Sequence, residues 1–403
     1  MSQEVYITSF GIVSSIGIGS EATLKSLVNT QSGVKSLKYL KTKHTDIPCA
    51  EVPLSDDEMR AQLGIAPHEV VTRVTLMGLM AAKEAWDKAA LGNAKSLGLR
   101  IGLLNGTTVG GMDKSELYYK DFINPDTNLH SEYINVHDCG ACTEDIADRL
   151  GRFDYVSTTS TACSSALNTI ILAANLVKCG ILDCVIAGGA ECLTKFHLNG
   201  FNTLMILDRE QCRPFDATRA GLNLGEGAAY IVIENEKSIQ MRQMQPIAKV
   251  SGWGNACDAY HQTASSPEGL GASMAIQQAL VMSGLNPEMI DYINAHGTGT
   301  QNNDDSEGQA IMTVFGDKVP PISSTKSYTG HTTSAAGAVE AAISLLAMQH
   351  RFIPPSLSFK NRIEALSFTP VRELVKDIEI NHILNNSFGF GGNSSSIIFS
   401  KVK

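Results

Sequence analysis

The sequence predicts an α/β fold built from two similar halves, and three observations support this. Short apolar strands alternate with alanine-rich helices along the chain, an alternation typical of α/β proteins. The chain has 403 residues, which is more than one core usually fills. The second half repeats the order of elements of the first. We therefore predict a duplicated unit with an N-terminal half at 1–240, a C-terminal half at 241–403, and buried helices between two sheets.

The first half begins with a predicted strand at 5–13 and a helix at 21–28. A loop follows at 36–57, where Pro48 and Pro53 interrupt regular structure. Residues 113–140 are polar and fit no pattern, and residues 193–224 are predicted to form loops and short helices. The other predicted elements are a helix at 70–90, a strand at 100–105, the end of a buried strand at 156–161, a helix at 164–177, and strands at 183–191 and 227–234.

Four elements of the second half repeat this order. Residues 292–300 match the strand and glycine-threonine turn at 101–111; 322–331 match 156–163; the alanine-rich helix at 334–348 matches 164–177; and the strand beginning at 386 matches 183–190. The match is one of pattern rather than identity. Chance similarity is the alternative, because strand-turn-helix units recur in unrelated α/β proteins.

The composition excludes several classes of protein. A net charge of -9 argues against a general nucleic-acid binder. Nine cysteines without a disulfide pattern predict a reducing, cytoplasmic location. We expect no signal peptide, because the first residues lack a basic region followed by an apolar core. We expect no membrane span, because no apolar run approaches the length that one needs. A lone pair, Cys139 and Cys142, is interpreted as structural, and no metal site is predicted.

Cys163 lies where a predicted strand turns into the start of a helix. The free N–H groups and the positive end of the helix dipole favour a thiolate there, and the same N–H groups can bind an oxyanion. A buried structural cysteine is an equally good interpretation of this residue taken alone.

His331 holds the place in the second half that Cys163 holds in the first, and His296 follows the preceding matched strand. A pseudo-twofold duplication would bring one thiol and two imidazoles into one pocket. A thiolate can accept an acyl group from a thioester, and two imidazoles can donate hydrogen bonds to an enolate formed by loss of carbon dioxide from a malonyl group. Hydrolysis is the competing chemistry, although a Cys-His hydrolase needs an orienting Asn or Asp instead of a second histidine.

Lys326 ends a small-residue strand, where an unpaired ammonium would be costly. Glu340 or Glu307 could pair with it, and Asp304 is predicted to support the same site. The run from 388 to 393 carries two aromatic rings among glycines. It is either a tight turn before a last strand at 396–400 or a gate that offers an N–H to an oxyanion.

At these residues the sequence resembles the β-ketoacyl-acyl carrier protein synthases of the thiolase superfamily. The motifs cover nearly the whole chain in the family's order. They are Thr161-Ala-Cys163-Ser-Ser-Ala, Ala187-Gly-Gly-Ala-Glu191, Arg213-Pro-Phe-Asp216 through Gly225-Glu-Gly227, Asn294-Ala-His-Gly-Thr-Gly-Thr300, Ser324-Thr-Lys-Ser-Tyr-Thr-Gly-His331 with Ala335-Ala-Gly-Ala-Val-Glu340, and Asn386-Ser-Phe-Gly-Phe-Gly-Gly-Asn393.

The resemblance implies a thiolase-like, five-layered α-β-α-β-α fold and a 3-oxoacyl-[acyl-carrier-protein] synthase acting in fatty acid biosynthesis on malonyl- and acyl-thioesters. It implies no cofactor, since 4'-phosphopantetheine arrives on the acyl carrier protein. The resemblance implies that Cys163 is the nucleophile, that His296 and His331 are the decarboxylation pair, and that Lys326, with Glu340 as its partner, orders the histidines. It implies that the N–H groups of Cys163 and Phe390 form the oxyanion hole and that Phe390 is the gate. It further implies that Thr298 and Thr300 hold the pantetheine arm and that Val109 and Phe201 line the acyl pocket.

Two departures from the family leave the pathway open. Residues 113–140 lack the family's usual proline-containing stretch, and the helix at 70–76, which carries several basic residues for the carrier protein in relatives, has only Arg73. Docking could use Arg73 or Arg209.

The alternative to an enzyme of fatty acid biosynthesis is a specialised polyketide or polyene-pigment ketosynthase (aryl polyene or flexirubin type). Either a homodimer or a heterodimer with a sister subunit is therefore expected. A non-catalytic chain-length-factor subunit is disfavoured by the intact Cys163, and a degradative thiolase by the lack of any cysteine after Cys257.

Overall fold

The computed structural model describes residues 3–402. In that range the strands are β1 (Tyr6–Ser14), β2 (Gly17–Ile18), β3 (Ile101–Gly106), β4 (Tyr155–Thr159), β5 (Cys184–Glu191), β6 (Gly227–Glu234), β7 (Ala248–Cys257), β8 (Tyr292–Asn294), β9 (Ile322–Ser323), β10 (Phe352–Ile353), β11 (Val375–Lys376), β12 (His382–Gly389) and β13 (Asn393–Ser400). The α-helices are α1 (Ser20–Val28), α2 (Asp56–Leu63), α3 (Arg73–Lys88), α4 (Met112–Phe122), α5 (Cys139–Leu150), α6 (Ser165–Lys178), α7 (Lys195–Thr203), α8 (Glu236–Arg242), α9 (Leu270–Ser283), α10 (Gln301–Phe315), α11 (Lys326–Thr329) and α12 (Ala336–His350).

The strands of the two halves follow the same order when each half is counted outward from the centre of the sheet. It runs β4-β3-β5-β6-β1 and then β7-β13-β12-β8-β9, with β2 attached to β1. The sense of pairing matches as well, because β3 is parallel to β4 and β5, just as β8 is parallel to β9 and β12. The two groups of strands are joined where Tyr6 pairs with Lys249 and Ile7 with Ala248. All four matches between the halves thus fall on topologically equivalent elements, and the division into 1–240 and 241–403 stays a prediction.

Two helices lie between the two groups of strands. Helix α6 contacts β3 and β5 of the first group and β13 of the second, while α12 contacts β6 and β12. Residues 336–348 of α12 are all buried, which explains why they are apolar or small apart from Glu340. Helices α3 and α5 pack on the outer face of the first group, and α9 and α10 on that of the second. This confirms the five-layered α-β-α-β-α, thiolase-like architecture.

Several local predictions need correction. The strand predicted at 156–161 is β4, which is not buried: it forms one edge of the sheet, and Tyr155 and Val156 are exposed. Residues 113–140, which fitted no pattern, form most of α4, a 3-10 turn at Ser131–Val136 and the start of α5. The last strand begins at residue 393 instead of 396. Within residues 3–402 we find no helix with the length and apolar character needed to cross a bilayer.

Candidate active site

One cavity of about 340 Å³ brings the predicted nucleophile and both histidines together. It is lined by Cys163, His296 and His331, which lie far apart in the sequence. The remaining lining residues are Phe201, Met205, Ile206, Ala220, Gly221, Leu222, Thr263, Ala264, Ser265, Thr298, Thr300, Gln301, Asn302, Asn303, Phe388, Gly389 and Phe390. The juxtaposition expected from the duplication is therefore present.

Cys163 lies on a strained turn between β4 and α6. The preceding residue, Ala162, has a φ of 52°, a left-handed conformation that a residue with a Cβ rarely adopts. Ser165 stabilises the turn, because its Oγ accepts from the N–H of Thr161 at 2.9 Å and donates to the Ala162 carbonyl at 2.6 Å. Ser387 Oγ donates to the carbonyl of Cys163 at 3.0 Å. The turn is thus fixed from its own helix and from the other half of the chain.

Gly389 packs directly against this turn. A Cβ placed on Gly389 would lie 2.9 Å from the carbonyl oxygen of Thr161 and 3.1 Å from the backbone N of Cys163. Any side chain there would push β12 away from the nucleophile and crowd the Cys163 N–H. The glycine therefore lets the end of β12 reach the place where an oxyanion would bind.

The thiol of Cys163 is neutral near pH 7. Burial raises the pKa of the Cys163 thiol to about 12, with the carboxylates of Glu191 and Glu340 acting in the same direction and Lys326 acting against them. The sequence predicts that the helix start favours a thiolate; in the structure burial outweighs that effect. A thiol in this environment needs a group that takes its proton before its sulfur can act as a nucleophile.

The two imidazoles meet edge to face, with ring centroids 5.3 Å apart and an interplanar angle of 84°. Burial lowers the pKa of both His296 and His331 well below the usual value, and the Lys326 ammonium lowers both further. Both rings are therefore neutral near pH 7 and each can donate one ring N–H. Nδ1 of His331 has no hydrogen-bond partner in the part of the chain that the structure describes.

Lys326 fixes the tautomer of His296. Its Nζ lies 3.2 Å from His296 Nδ1 and donates to the His296 carbonyl at 2.5 Å. An ammonium has no acceptor atom, so Nδ1 must accept and the ring proton stays on Nε2. Lys326 is paired with Glu340, which selects Glu340 over Glu307 as its partner. Burial raises the pKa of Glu340 to about 7, partly offset by Lys326.

The other two predicted acids hold the loop of His296. Glu307 accepts the N–H groups of His296 and Gly297 at 2.9 and 2.7 Å, and burial raises its pKa to about 7. Asp304 accepts from Gly299 at 3.1 Å, and burial raises its pKa too. Neither contacts Lys326, so they position backbone and do not pair with the ammonium.

The predicted substrate-binding residues divide into two groups. Thr298 and Thr300 line the cavity with their hydroxyls 2.9 Å apart, and the rings of Phe201 and Phe390 stack there with centroids 5.8 Å apart. Val109 is buried but does not line this cavity. The stacked rings close the cavity on the side of α7.

Two polar groups were missed by sequence reasoning as parts of the site. Glu191 is fully buried and accepts from Thr108 N–H at 2.8 Å, from Thr108 Oγ1 and from Ser334 Oγ. Asn393 Oδ1 accepts from Ser164 Oγ at 2.7 Å and from Asn168 Nδ2 at 2.9 Å. Each is a polar residue that ends or interrupts an apolar run, which is the signal that could have identified them.

The predicted docking arginines are less available than expected. Arg73 is buried, and its guanidinium pairs with Glu226 at 2.5 Å and Asp56 at 2.9 Å. Arg73 therefore cannot serve a docking partner. Arg209 is exposed and pairs with Asp46. Among residues 3–402 no cluster of three or more His, Cys, Asp or Glu could hold a metal ion.

A buried thiol and two imidazoles in one cavity of a duplicated α/β fold are features expected of an acyltransferase of the thiolase type. Residues 2–238 match the N-terminal domain and residues 247–360 the C-terminal domain of beta-ketoacyl synthase. The chain therefore belongs to the β-ketoacyl synthase family.

Individual relatives span the whole chain. It is 31% identical over 411 residues to 3-oxoacyl-[acyl-carrier-protein] synthase 2 of Staphylococcus aureus (strain COL), covering 100% of this chain and 99% of the relative. It is 30% identical to the ishigamide ketosynthase/chain length factor, with a TM-score of 0.91 and 100% of both chains covered. A ketosynthase in complex with its chain length factor from Xenorhabdus doucetiae is also 30% identical, with a TM-score of 0.86 and 99% and 98% covered.

Proposed function

We propose that this protein is a 3-oxoacyl-[acyl-carrier-protein] synthase that joins a malonyl unit to a cysteine-bound acyl group by decarboxylative Claisen condensation, in fatty acid biosynthesis. The observation that carries the proposal is the cavity shared by the Cys163 thiol and two neutral imidazoles, one of them held as the Nε2–H tautomer by Lys326. The Staphylococcus aureus relative at 31% identity is named 3-oxoacyl-[acyl-carrier-protein] synthase 2, which supports the proposal.

The first step is transfer of the acyl group to Cys163. The sulfur attacks the carbonyl carbon of the acyl thioester, a C–S bond to Cys163 forms, the C–S bond to the pantetheine breaks, and the cysteine proton leaves with the released thiol. The N–H groups of Cys163 and Phe390 stabilise the oxyanion of the tetrahedral intermediate. The space beside Cys163 N–H is kept open by Gly389.

The second step uses the histidines. The C–C bond to the malonyl carboxylate breaks, carbon dioxide leaves, and the electron pair forms an enolate on the thioester. His296 and His331 donate ring N–H groups to the enolate oxygen. The enolate carbon then attacks the acyl carbonyl on Cys163 and a C–C bond forms. The C–S bond to Cys163 breaks, and the released thiolate takes a proton from solvent water, which replaces the proton lost with the pantetheine thiol in the first step. No cofactor belonging to the enzyme takes part.

Substrate positioning falls to the groups around the cavity. Thr298 and Thr300 present hydroxyls to the pantetheine arm, whose phosphopantetheine arrives on the acyl carrier protein. Phe390 gates the acyl pocket by breaking its stack with Phe201. Val109, which is buried outside this cavity, is assigned to the acyl pocket by the resemblance to the family alone.

The second candidate function is a specialised polyketide or polyene-pigment ketosynthase that pairs with a chain-length-factor subunit. The observation in its favour is the similarity to two ketosynthase/chain-length-factor structures at 30% identity. The two candidates share the chemistry of Cys163 and the histidines and differ in acyl substrate and partner.

An exposed apolar surface favours a dimer. Five large apolar residues in and after α4 are between 51 and 62% exposed, namely Leu117, Tyr119, Ile123, Leu129 and Ile134. Edge strand β4 adds exposed Tyr155 and Val156. Exposed apolar patches of this kind commonly mark protein interfaces. We place a second copy of the chain there, or a sister subunit under the second candidate; sedimentation of the pure protein distinguishes the two.

The test is acylation of Cys163 by a panel of acyl carrier proteins that carry saturated or polyene chains. Intact-mass and peptide mass spectrometry should find the acyl group on Cys163 and none on Cys163→Ala. Preference for saturated chains supports fatty acid synthesis, and preference for polyenes supports the second candidate. Absence of an adduct with every donor would contradict both.

A further inference from the structure

Glu191 is a buried carboxylate that takes no part in the two chemical steps proposed above. It is the last residue of β5 and is fully buried, and the part of the chain that the structure describes holds no cation paired with it. A carboxylate taken out of water without a cation is costly unless hydrogen bonds compensate. The donors around Glu191 must therefore account for its place in the fold.

Three donors come from the turn after β3. Thr108 donates its N–H to Glu191 Oε2 at 2.8 Å and its hydroxyl at 2.6 Å, and Thr107 donates its hydroxyl to Oε1 at 3.2 Å. The N–H of Thr107 in turn donates to the carbonyl of Thr159 at 3.2 Å, and β4 ends at Thr159 just before the turn of Cys163. The carboxylate is thus attached to the strand that leads into the nucleophile.

The fourth donor comes from the second half. Ser334 is buried in the 3-10 turn at Thr333–Ala335, and its hydroxyl donates to Glu191 Oε2, the same oxygen that accepts from the first half. That turn begins two residues after His331 and leads directly into α12. Thr333 has a φ of 44°, a left-handed conformation that is unfavourable for a β-branched residue, so the turn needs outside contacts to hold it. One carboxylate oxygen therefore joins the two catalytic turns.

The position of His331 depends on its backbone contacts. Its N–H donates to the Asn223 carbonyl at 2.7 Å, and its carbonyl accepts the N–H of Gly225 at 2.9 Å. These bonds hold His331 itself, whereas Ser334 holds the turn that follows it. Nδ1 of His331 has no hydrogen-bond partner in residues 3–402, so no bond at that atom fixes the ring. The placement of the imidazole therefore depends on the backbone of this turn.

We propose that Glu191 is a positioning residue for the condensation step, and that it acts by holding the turn after His331 at a fixed distance from the turn of Cys163. The inference rests on the proposed function, in which an enolate bound by His331 must reach the acyl carbon on Cys163. Reaction between two bound groups depends steeply on their alignment, and a displacement of about 1 Å can lower a rate about 10²-fold. Acylation uses the turn of Cys163 alone, so a looser turn after His331 should spare it.

The test breaks the contact at Ser334 and leaves Glu191 with its charge in place. Ser334→Ala should lower the single-turnover rate of condensation, measured with preacylated enzyme and malonyl-acyl carrier protein, about tenfold relative to the rate of Cys163 acylation. Ser334→Thr keeps the hydroxyl and should restore the wild-type ratio of the two rates. The matched control is Ser238→Ala, which removes a hydroxyl donor from another buried carboxylate, Glu234, outside the catalytic cavity.

Glu191→Ala tests the other end of the same contact. Per folded molecule it should show the same fall in the ratio of condensation to acylation. Adding Ser334→Ala to it should cause no further fall, because both changes remove one contact. Urea unfolding of each variant gives the folded fraction and separates a loss of stability from a loss of positioning. If Glu191→Ala does not fold, the comparison of Ser334→Ala with Ser334→Thr still decides.

An unchanged ratio in Ser334→Ala, an equal fall in Ser238→Ala, or no rescue by Ser334→Thr would overturn the positioning role and leave the proposed function intact. If the wild-type protein neither accepts an acyl group on Cys163 nor condenses it with malonyl-acyl carrier protein, the proposed function fails, and the positioning role with it. A selective fall in Ser334→Ala that Ser334→Thr reverses supports both.

Discussion

The turn that carries Cys163 and the loops that carry the histidines occupy equivalent places in the two halves, yet they are built differently. The cysteine follows β4, an edge strand that is partly exposed, and α6 begins two residues later. His331 lies between two buried helices, α11 and α12, beside the buried pair of Lys326 and Glu340. The first half thus holds a neutral thiol without an ion pair beside it, whereas the histidine site of the second half is organised by a buried ion pair.

Burial disfavours the charged form of the thiol and of the imidazoles alike, and their pKa values therefore shift in opposite directions. It raises the pKa of Cys163 and lowers the pKa of His296 and His331, so all three are neutral at rest. Next to the histidines, Lys326 and Glu340 form a buried ion pair. We expect variants in the two halves to affect different steps.

The largest expected effect follows from breaking the buried ion pair. Lys326→Met leaves Glu340 buried without its partner, which should cost about 3–5 kcal/mol in the free energy of unfolding. The first half offers a matched pair, Arg242 with Glu234 at 2.7 Å, also buried. Arg242→Met should cost a similar amount while sparing decarboxylation. Urea unfolding and malonyl decarboxylation assays measure the two effects. If both variants lost the same amount of decarboxylation activity per folded molecule, Lys326 would have no specific role in organising the histidines.

His331→Ala should separate the two chemical steps. Acylation of Cys163 should remain, because the first half is intact, whereas condensation should fall about 10²–10³-fold through loss of one donor to the enolate. Single-turnover assays with preacylated enzyme measure the second step alone. His68→Ala, at an exposed histidine, is the control. A parallel loss of acylation would show that the halves do not work separately.

The histidines should also give the second half a distinct pH dependence. Their pKa values are lower in the folded protein than the unfolded value of about 6.5, so the unfolded chain binds more protons below that pH and stability falls as pH falls. Glu307 and Glu340, with pKa values raised to about 7, act in the opposite sense between about 4.5 and 7. The comparison of His331→Gln with wild type isolates the histidine contribution.

The expected difference is up to about 1.4 kcal/mol per pH unit below pH 6.5, with His331→Gln less sensitive to acid than wild type. Urea unfolding at pH 5 to 8 measures it, and His68→Gln should follow wild type. If the free energy of unfolding of His331→Gln changed with pH as steeply as that of wild type, His331 would not be held neutral by burial.

The smallest effect concerns the turn in the first half. Ala162→Gly removes the strain of a φ of 52° and should change stability by less than about 1 kcal/mol, either neutral or stabilising. Ala61→Gly, in exposed helix α2, should instead destabilise by about 1 kcal/mol. Thermal unfolding of both variants checks the sign. Equal destabilisation would mean that the turn at Ala162 is unstrained.

Much of this molecule could be predicted from its sequence, because the evidence was local and repeated. The buried strands and the alanine-rich helices show clear periodicity, and the repeated order identified Cys163 and His331 as equivalent. The pairing of Lys326 followed from the cost of a buried ammonium. These are properties that short segments carry on their own.

The features that were missed depend on contacts between distant segments. Arg73 looked like a surface charge until Glu226, 153 residues away, was found beside it. Asn168 and Asn393 are 225 residues apart. The exposure of β4 depends on its place at the sheet edge. None of these leaves a periodic signal, because each is fixed by how whole elements assemble.

The close approach of Gly389 to the nucleophile has a consequence for protein synthesis. Strands β12 and β13 leave the ribosome well after α6, and they bring Gly389 and Phe390 to a turn made more than two hundred residues earlier. A nascent chain therefore carries the thiol before the surface that completes its pocket exists. A chain that has not yet made β12 and β13 therefore lacks the complete pocket in which Cys163 would hold an acyl group.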